Sequence, residues 1–167
     1  SYAHEFALTT PIEMGDVVMT EIAMGYGGYF GKIWGTFFMG DPTPEYEEMF
    51  LLGQKSYREL HAAIKPDLSG ADIAHHCVDT ITAGGYKPKS SVFGWSNYNS
   101  KPEIRTVDGE VSGTDFVFAK NQCMNVIGWP VTEDESAGIW IGDTSAITDD
   151  GIENLQKYPL DEIYVVT

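Results

Sequence analysis

Apolar residues fill most of residues 16–39 and are interrupted by a glycine-rich segment, Gly25 to Gly28. Short apolar runs bounded by turn residues are typical of β-strands. Glycine supplies the positive φ angles that a tight turn requires. The pattern therefore predicts a two-stranded hairpin, in which Glu21 and Lys32 lie eleven residues apart on either side of the turn.

Apolar residues recur every three or four positions in two later segments, which is the spacing of one helix face. The first segment begins at Thr43-Pro44, has acidic residues in its first turn and ends at Lys65-Pro66. The second begins at Ser69, where Asp72 is placed to complete a capping box, and ends at Gly84-Gly85. Two helices are predicted.

From Lys87 onward, short β-rich runs separated by turn residues predict strands only. A strand hairpin followed by two helices and then by several strands is typical of an α+β fold. The predicted strands lie at residues 92–93, 116–118, 124–127, 139–141 and 163–166.

Composition narrows the possible functions. The 167 residues suit one domain, and a hydrophobic content of 43% is sufficient for a buried core. A formal net charge of −15 argues against nucleic acid as a partner, since phosphate binding needs clustered Lys and Arg. The apolar runs are shorter than the roughly 18 residues that span a bilayer. We therefore expect a cytoplasmic protein that binds neither nucleic acid nor membranes.

Six motifs follow one another in a characteristic order: Gly15-Asp16, Gly28-Tyr29, "IKPDLSGADI", "VFGW", "CMNVIGWP" and "IWIGDTSAITDDGIENLQKYP". Together they resemble the pita-bread fold family of methionine aminopeptidase, aminopeptidase P, prolidase and creatinase. The resemblance covers essentially the whole chain. It implies a curved antiparallel sheet packed against helices, with residues 1–167 as the C-terminal part of a single pita-bread domain that is incomplete at its N-terminus.

The resemblance also implies a set of metal ligands that this chain largely lacks. The family's two Asp, one His and two Glu ligands correspond here to Glu21, Lys32, Trp95, Trp129 and Gly142. Only the first of these could coordinate a hard cation, and a lysine would place a positive charge inside the site. We predict that the protein uses no metal cofactor and that the lysine pairs with an acid such as Glu21.

Two residues are candidates for catalysis, His4 and Glu21. His4 precedes Asp16 by twelve residues, the spacing at which creatinase-like members carry an active-site histidine. Imidazole is suited to proton transfer near neutral pH. The alternative is an exposed histidine near a chain end, without a catalytic role.

Lys32, Trp34, Trp95 and Trp129 are candidates for substrate binding. Indole faces attract quaternary or methylated cations, so the tryptophans can form an aromatic cage while Lys32 pairs with a carboxylate at the other end of the ligand. The alternative is that the indoles fill the former metal pocket with apolar volume.

Three functions are therefore open. The first is a metal-independent C–N hydrolase or lyase that acts on a small zwitterionic compound. The second is a non-catalytic pseudopeptidase that binds a small molecule, a short peptide or a partner subunit. The third is a divergent Xaa-Pro metallopeptidase. The replaced ligands favour the first two functions over the third.

The missing first half of the fold implies an uncovered sheet, which would invite association. We expect a homodimer, or association with the missing N-terminal half, through an apolar face near Val17, Val126 and Ile139.

Overall fold

The hairpin forms as predicted and creates one end of the sheet. In the computed structural model, which describes residues 10–27, 29–94, 103–107 and 109–167, β1 (Val17–Tyr26) pairs with β2 (Tyr29–Met39) in antiparallel register. Gly27 adopts φ +58° in the turn, a conformation that suits glycine. Glu21 lies directly opposite Trp34 in this register.

The remaining elements follow the predicted order of helices and then strands. The helices are α1 (Pro44–Ala63), α2 (Gly70–Ile73) and α3 (Asp79–Ala83), with a 3₁₀ turn at Ala74–Cys77. The later strands are β3 (Lys87–Pro88), β4 (Val92–Gly94), β5 (Glu103–Val107), β6 (Glu110–Ser112), β7 (Cys123–Gly128), β8 (Pro130–Val131), β9 (Ile141–Ile147), β10 (Ile152–Asn154) and β11 (Tyr164–Val166).

Within the described residues, one nine-stranded sheet carries the fold. Its order is β1-β2-β9-β7-β4-β5-β6, with β10 beside β9 and β11 beside β2. The pairings are antiparallel except for that of β11 with β2, which is parallel. Strands β3 and β8 form a separate small sheet. The predicted α+β class, an antiparallel sheet packed against helices, is confirmed.

Helix α1 covers one face of the sheet. Thr43 caps its first turn through the N–H of Tyr46, and Pro44 is at the first helical position, where its missing N–H costs nothing. The helix contacts β7 so closely that a side chain on Gly128 would overlap the carbonyl oxygen of Gly53. Among the helices of the described ranges, none is both long and apolar enough to cross a membrane.

Three local predictions were wrong. The second predicted helix is interrupted, because the 3₁₀ turn and a non-ideal Val78 (φ −118°, ψ −50°) separate α2 from α3. The run 116–118 is not a strand of the sheet. Its backbone pairs with the loop before α2, where Phe118 N–H donates to Leu68 O and Gly70 N–H donates to Phe116 O. The predicted strand at 139–141 begins only at Ile141.

The residues near which association is expected differ in their burial. Val126 and Ile139 are fully buried in cores that the chain's own elements build, and α1 supplies residues to both of those cores. Val17, by contrast, is half-buried. Association near these strands stays a prediction.

The close contact between α1 and β7 generates a prediction. Replacing Gly128 with Ala should lower the free energy of unfolding by about 1–3 kcal/mol, because the new methyl group forces the helix away from the sheet. Chemical denaturation measures this change. Gly151→Ala is the matched control, since no atom lies within 4 Å of the added carbon there. Equal stability of the two variants would contradict the packing argument.

Candidate functional site

The sheet register gathers four separate parts of the chain into one row. Glu21 lies opposite Trp34, Trp34 lies opposite Gly142, and Gly142 lies opposite Ile127 on successive strands. Directly opposed residues of antiparallel strands point to the same face. This face is the one that does not carry helix α1, and we call it the site face.

An ion pair occupies the hairpin end of the site face. Lys32 Nζ lies 2.5 Å from Glu21 Oε1, so the predicted pairing of these residues is present. Their side chains are 31% and 21% exposed. The ammonium also lies 5.7 Å from the ring centre of Trp34, which is buried and stacks on Phe93. A carboxylate and an indole therefore stabilise the cation together.

Side chains, instead of backbone pairing with β9, bind the backbone N–H and C=O of Lys32. Its N–H donates to Thr144 Oγ1 at 2.7 Å, and its carbonyl oxygen accepts from Gln156 Nε2 at 2.9 Å. Thr144 Oγ1 in turn lies 2.7 Å from Asn125 Oδ1. These contacts fix the lysine relative to β7 and β9, at the place where pairing of β2 with β9 stops after Trp34.

A groove of about 780 Å³ opens beside the ion pair. Side chains of both charge signs and two indoles line it, so the groove is neither a purely apolar pocket nor a single-sign binding surface. Its lining residues are Met19, Glu21, Lys89, Ser90, Arg105, Thr106, Val107, Trp129, Val131, Glu135, Ser136, Ala137, Gly138 and Trp140.

Trp129 and Trp140 form an aromatic corner within the groove. Their ring centres are 5.1 Å apart and their planes meet at 69°. The indole N–H of Trp140 donates to Gly35 O at 3.1 Å, and Thr36 Oγ1 bonds to the Trp140 backbone. The hairpin therefore fixes the orientation of the second indole.

Each cation of the groove has an acidic neighbour. Lys89 Nζ lies 2.5 Å from Glu135 Oε1, and Arg105 Nε donates to Glu103 Oε1 at 3.0 Å. Ser90 donates to the same Glu103 oxygen at 2.9 Å. The groove can thus present a positive or a negative group to a ligand, but only after an internal contact is exchanged.

The predicted site residues have different outcomes. Glu21 and Trp129 line the groove, and Lys32 lies beside it in contact with Glu21. Trp34 is buried beneath the lysine and does not line the groove. His4 and Trp95 lie outside the described residues. Their roles, like the catalytic role of Glu21, stay predictions.

Sequence reasoning missed Trp140 and Lys89. Trp140 precedes Gly142 by two residues, so strand periodicity places it on the same face as a predicted ligand position. That signal was available in the sequence. Lys89 pairs with a residue 46 positions away, and no sequence pattern predicts that contact.

Similarity to known proteins identifies the family of this chain. The sequence profile of metallopeptidase family M24 matches residues 1–149. The chain belongs to this family. No curated protein matches it in sequence.

Several solved structures share the fold, which is the pita-bread catalytic fold. Dipeptidase PepE from Mycobacterium ulcerans is 20% identical, with a TM-score of 0.82 over 99% of this chain and 44% of its own. The X-Pro aminopeptidase from Thermotoga maritima is 20% identical, with a TM-score of 0.79 over 99% and 46%. The Xaa-Pro dipeptidase from Bacillus anthracis is 24% identical, with a TM-score of 0.78 over 99% and 45%. The chain spans less than half of each.

The described residues do not fit the divalent metals that the family name implies. Among them, no group of three or more His, Cys, Asp or Glu is arranged to hold an ion. The carboxylate of Glu21 is already paired with the ammonium group of Lys32. Gly142 has no room for a ligand side chain, since an added Cβ would overlap Val126 O and lie 2.9 Å from Ile127 Cγ1. Within the described part of the chain, an ion pair therefore occupies Glu21 and Lys32, and packed backbone surrounds Gly142.

The opposite face carries a buried carboxylate, Asp143. Tyr57 Oη and Ser145 Oγ donate to it at 3.1 and 3.2 Å, and Asn154 Nδ2 donates to it as well. Burial raises the pKa of Asp143 to about 6, although the three hydrogen bonds act in the opposite direction. His61 Nε2 lies 3.4 Å from Ser145 Oγ, and burial lowers the pKa of this histidine.

The ion pair generates a prediction for stability. A double-mutant cycle of Glu21→Gln and Lys32→Met should give a coupling energy of about 1 kcal/mol, because both groups are mostly shielded from water. The Lys55–Glu59 pair on helix α1 is the control. Its atoms are 3.8 Å apart and its side chains are 64% and 36% exposed, so its coupling should be only about 0.3–0.5 kcal/mol. Equal couplings would contradict the special role of the site pair.

The buried carboxylate generates a prediction for pH. The folded chain holds the Asp143 proton more tightly than the unfolded chain, whose pKa is near 3.8. The free energy of unfolding should therefore fall as pH rises from about 4 to about 6, by up to roughly 3 kcal/mol, and this contribution should be constant above pH 6. Denaturation across this pH range measures the slope.

A pair of variants isolates this contribution from the general charge of the protein. Asp143→Asn should remove the slope that the buried carboxylate causes, while Asp161→Asn, at an exposed position, should retain it. A slope that is identical in both variants would show that the net charge alone causes the pH dependence.

Proposed function

We propose that this protein is a metal-independent homologue within the M24 family, and that it binds a small zwitterionic compound, or a short peptide, in the groove beside the Glu21–Lys32 pair. The observation that carries the proposal is the ion pair itself. It stands at two positions that correspond, by the family resemblance, to metal ligands, with Nζ and Oε1 at 2.5 Å. A lysine that is held in this way repels a metal ion from the Glu21 carboxylate.

The composition of the groove supports a zwitterion. Trp129 and Trp140 provide two indole walls at 69°, a corner that attracts a quaternary or methylated ammonium group. Lys89 and Arg105 line the same groove and can donate hydrogen bonds to a carboxylate. The aromatic cage of this proposal therefore consists of Trp129 with Trp140, in place of the buried Trp34.

Binding without turnover is the simpler proposal for the described residues. Glu21 is the carboxylate of the groove that corresponds, by the family resemblance, to a metal-ligand position, and its Oε1 is already engaged by Lys32 Nζ at 2.5 Å. A metal-independent C–N hydrolase or lyase would need a further proton-transfer group such as His4, for which the described residues offer no support.

The proposal is tested by calorimetric titration of the protein with trimethylglycine, a quaternary ammonium carboxylate. We expect binding, and we expect Trp129→Leu to weaken it by about 2- to 30-fold, the range that one cation–π contact provides. Tyr26→Leu is the matched control, because Tyr26 is an exposed aromatic residue on strand β1 that does not line the groove. An equal loss in both variants would contradict the cage.

The same protein tests the alternatives. Incubation of trimethylglycine with the protein, followed by NMR, should show no product. Incubation of an Xaa-Pro dipeptide with the protein and Mn²⁺ or Co²⁺ should show no cleavage. Metal-dependent cleavage would overturn the proposal in favour of a divergent peptidase. Metal-free conversion of trimethylglycine that Glu21→Gln abolishes would favour the hydrolase or lyase.

A further inference from the structure

Glu135 has a backbone conformation that is unusual for its residue type. Its φ is +60°, in the left-handed region. The other non-glycine residues of the described ranges with positive φ are Asp67 and Asn121, and short polar side chains of these kinds tolerate this region. A glutamate there is an outlier, and such outliers concentrate at ligand sites and switch segments.

Hydrogen bonds among its own residues stabilise the turn that contains Glu135. Asp134 accepts hydrogen bonds from the Ser136 N–H at 3.1 Å and from the hydroxyls of Ser136 and Thr132 at 2.8 Å. These bonds lower the pKa of Asp134 to about 2, so the carboxylate is charged and the turn is intact near neutral pH. Glu135 N–H closes the turn on Thr132 O at 3.0 Å. The strained residue is thus fixed by its neighbours.

The side chain of Glu135 contacts a groove cation. Its Oε1 lies 2.5 Å from Lys89 Nζ, and the two side chains are 45% and 29% exposed. Lys89 N–H donates to Trp129 O at 3.1 Å, which anchors the lysine beside the aromatic corner. A cation next to an indole pair is the arrangement that would receive the carboxylate of a ligand whose ammonium group lies on the rings.

We propose that Lys89 is a carboxylate subsite of the groove, and that Glu135 is an internal competitor which the ligand carboxylate displaces. The inference rests on the proposed function for the identity of the whole ligand, but the subsite itself requires only an anionic group. On binding, the hydrogen bonds of Nζ pass from Glu135 to the ligand, and the half-exposed Glu135 carboxylate is hydrated instead. The affinity for carboxylates is therefore set below what Lys89 alone would provide.

Neutralising the competitor tests this subsite. Glu135→Gln should bind trimethylglycine about two- to fivefold more tightly than the unchanged protein, the factor that corresponds to one partly exposed ion pair. Its affinity for choline, which has the same ammonium group without a carboxylate, should be unchanged or lower. Calorimetry measures both probes.

The same turn supplies a matched control. Glu133 also pairs with a lysine, Lys87, at 3.1 Å, but its side chain is 84% exposed and neither residue lines the groove. Glu133→Gln removes the same charge two residues away and should change neither affinity. An equal gain in both variants, or a gain for choline that equals the gain for trimethylglycine, would show a general charge effect and overturn the subsite.

Titration with acetate, a carboxylate without an ammonium group, tests this inference separately from the proposed function. If neither protein binds trimethylglycine but Glu135→Gln binds acetate more tightly than the unchanged protein, the zwitterion is wrong and the subsite is right. If the two proteins have equal affinities for acetate and for trimethylglycine, the subsite is wrong. The gain for acetate should also disappear in the double variant Glu135→Gln/Lys89→Gln; a gain that persists there would assign the anion to another cation.

Discussion

Strand β9 is buried on both of its faces, and the polar core and the position of Lys32 both depend on this burial. The strand carries three consecutive buried polar residues, Asp143, Thr144 and Ser145, and each needs hydrogen-bond partners in a place that water does not reach. Tyr57 and Asn154 supply those of Asp143 on the helix side. The polar core therefore joins helix α1, the central strands and the C-terminal segment.

Thr144 carries this constraint to the site face. Its hydroxyl forms hydrogen bonds both with Asn125 and with the backbone of Lys32. Because β2 and β9 do not form a continuous ladder there, these side-chain contacts with the central strands position the lysine. A lysine that is fixed in its backbone and paired with Glu21 loses less conformational entropy when it forms that pair. The ion pair of Glu21 with Lys32 is thus supported by packing several residues away.

Sequence reasoning predicted the features that local patterns encode. The hairpin follows from its glycine turn, α1 follows from Thr43 and Pro44, and the Glu21–Lys32 pair follows from the cost of an unpaired buried charge. It failed where tertiary contacts decide. Apolar periodicity indicates which residues near Cys77 face the core. It does not indicate whether the backbone hydrogen bonds there follow the α-helical or the 3₁₀ pattern. The interruption of the second helix was therefore missed. The contact of Lys89 with Glu135 joins distant loops and had no local signal.

Charge distribution distinguishes the groove from the rest of the molecule. The chain has only 10 Lys and Arg against 25 Asp and Glu, yet Lys89 and Arg105 line the groove and Lys32 lies beside it. Each of the three contacts one carboxylate, so the groove is close to neutral within a strongly acidic protein. A free anion would be repelled by the overall field, and a free cation would bind anywhere on the surface. Under the proposed function, a ligand with both charges would gain from the indoles and from one exchanged ion pair, and the long-range field would neither attract nor repel it.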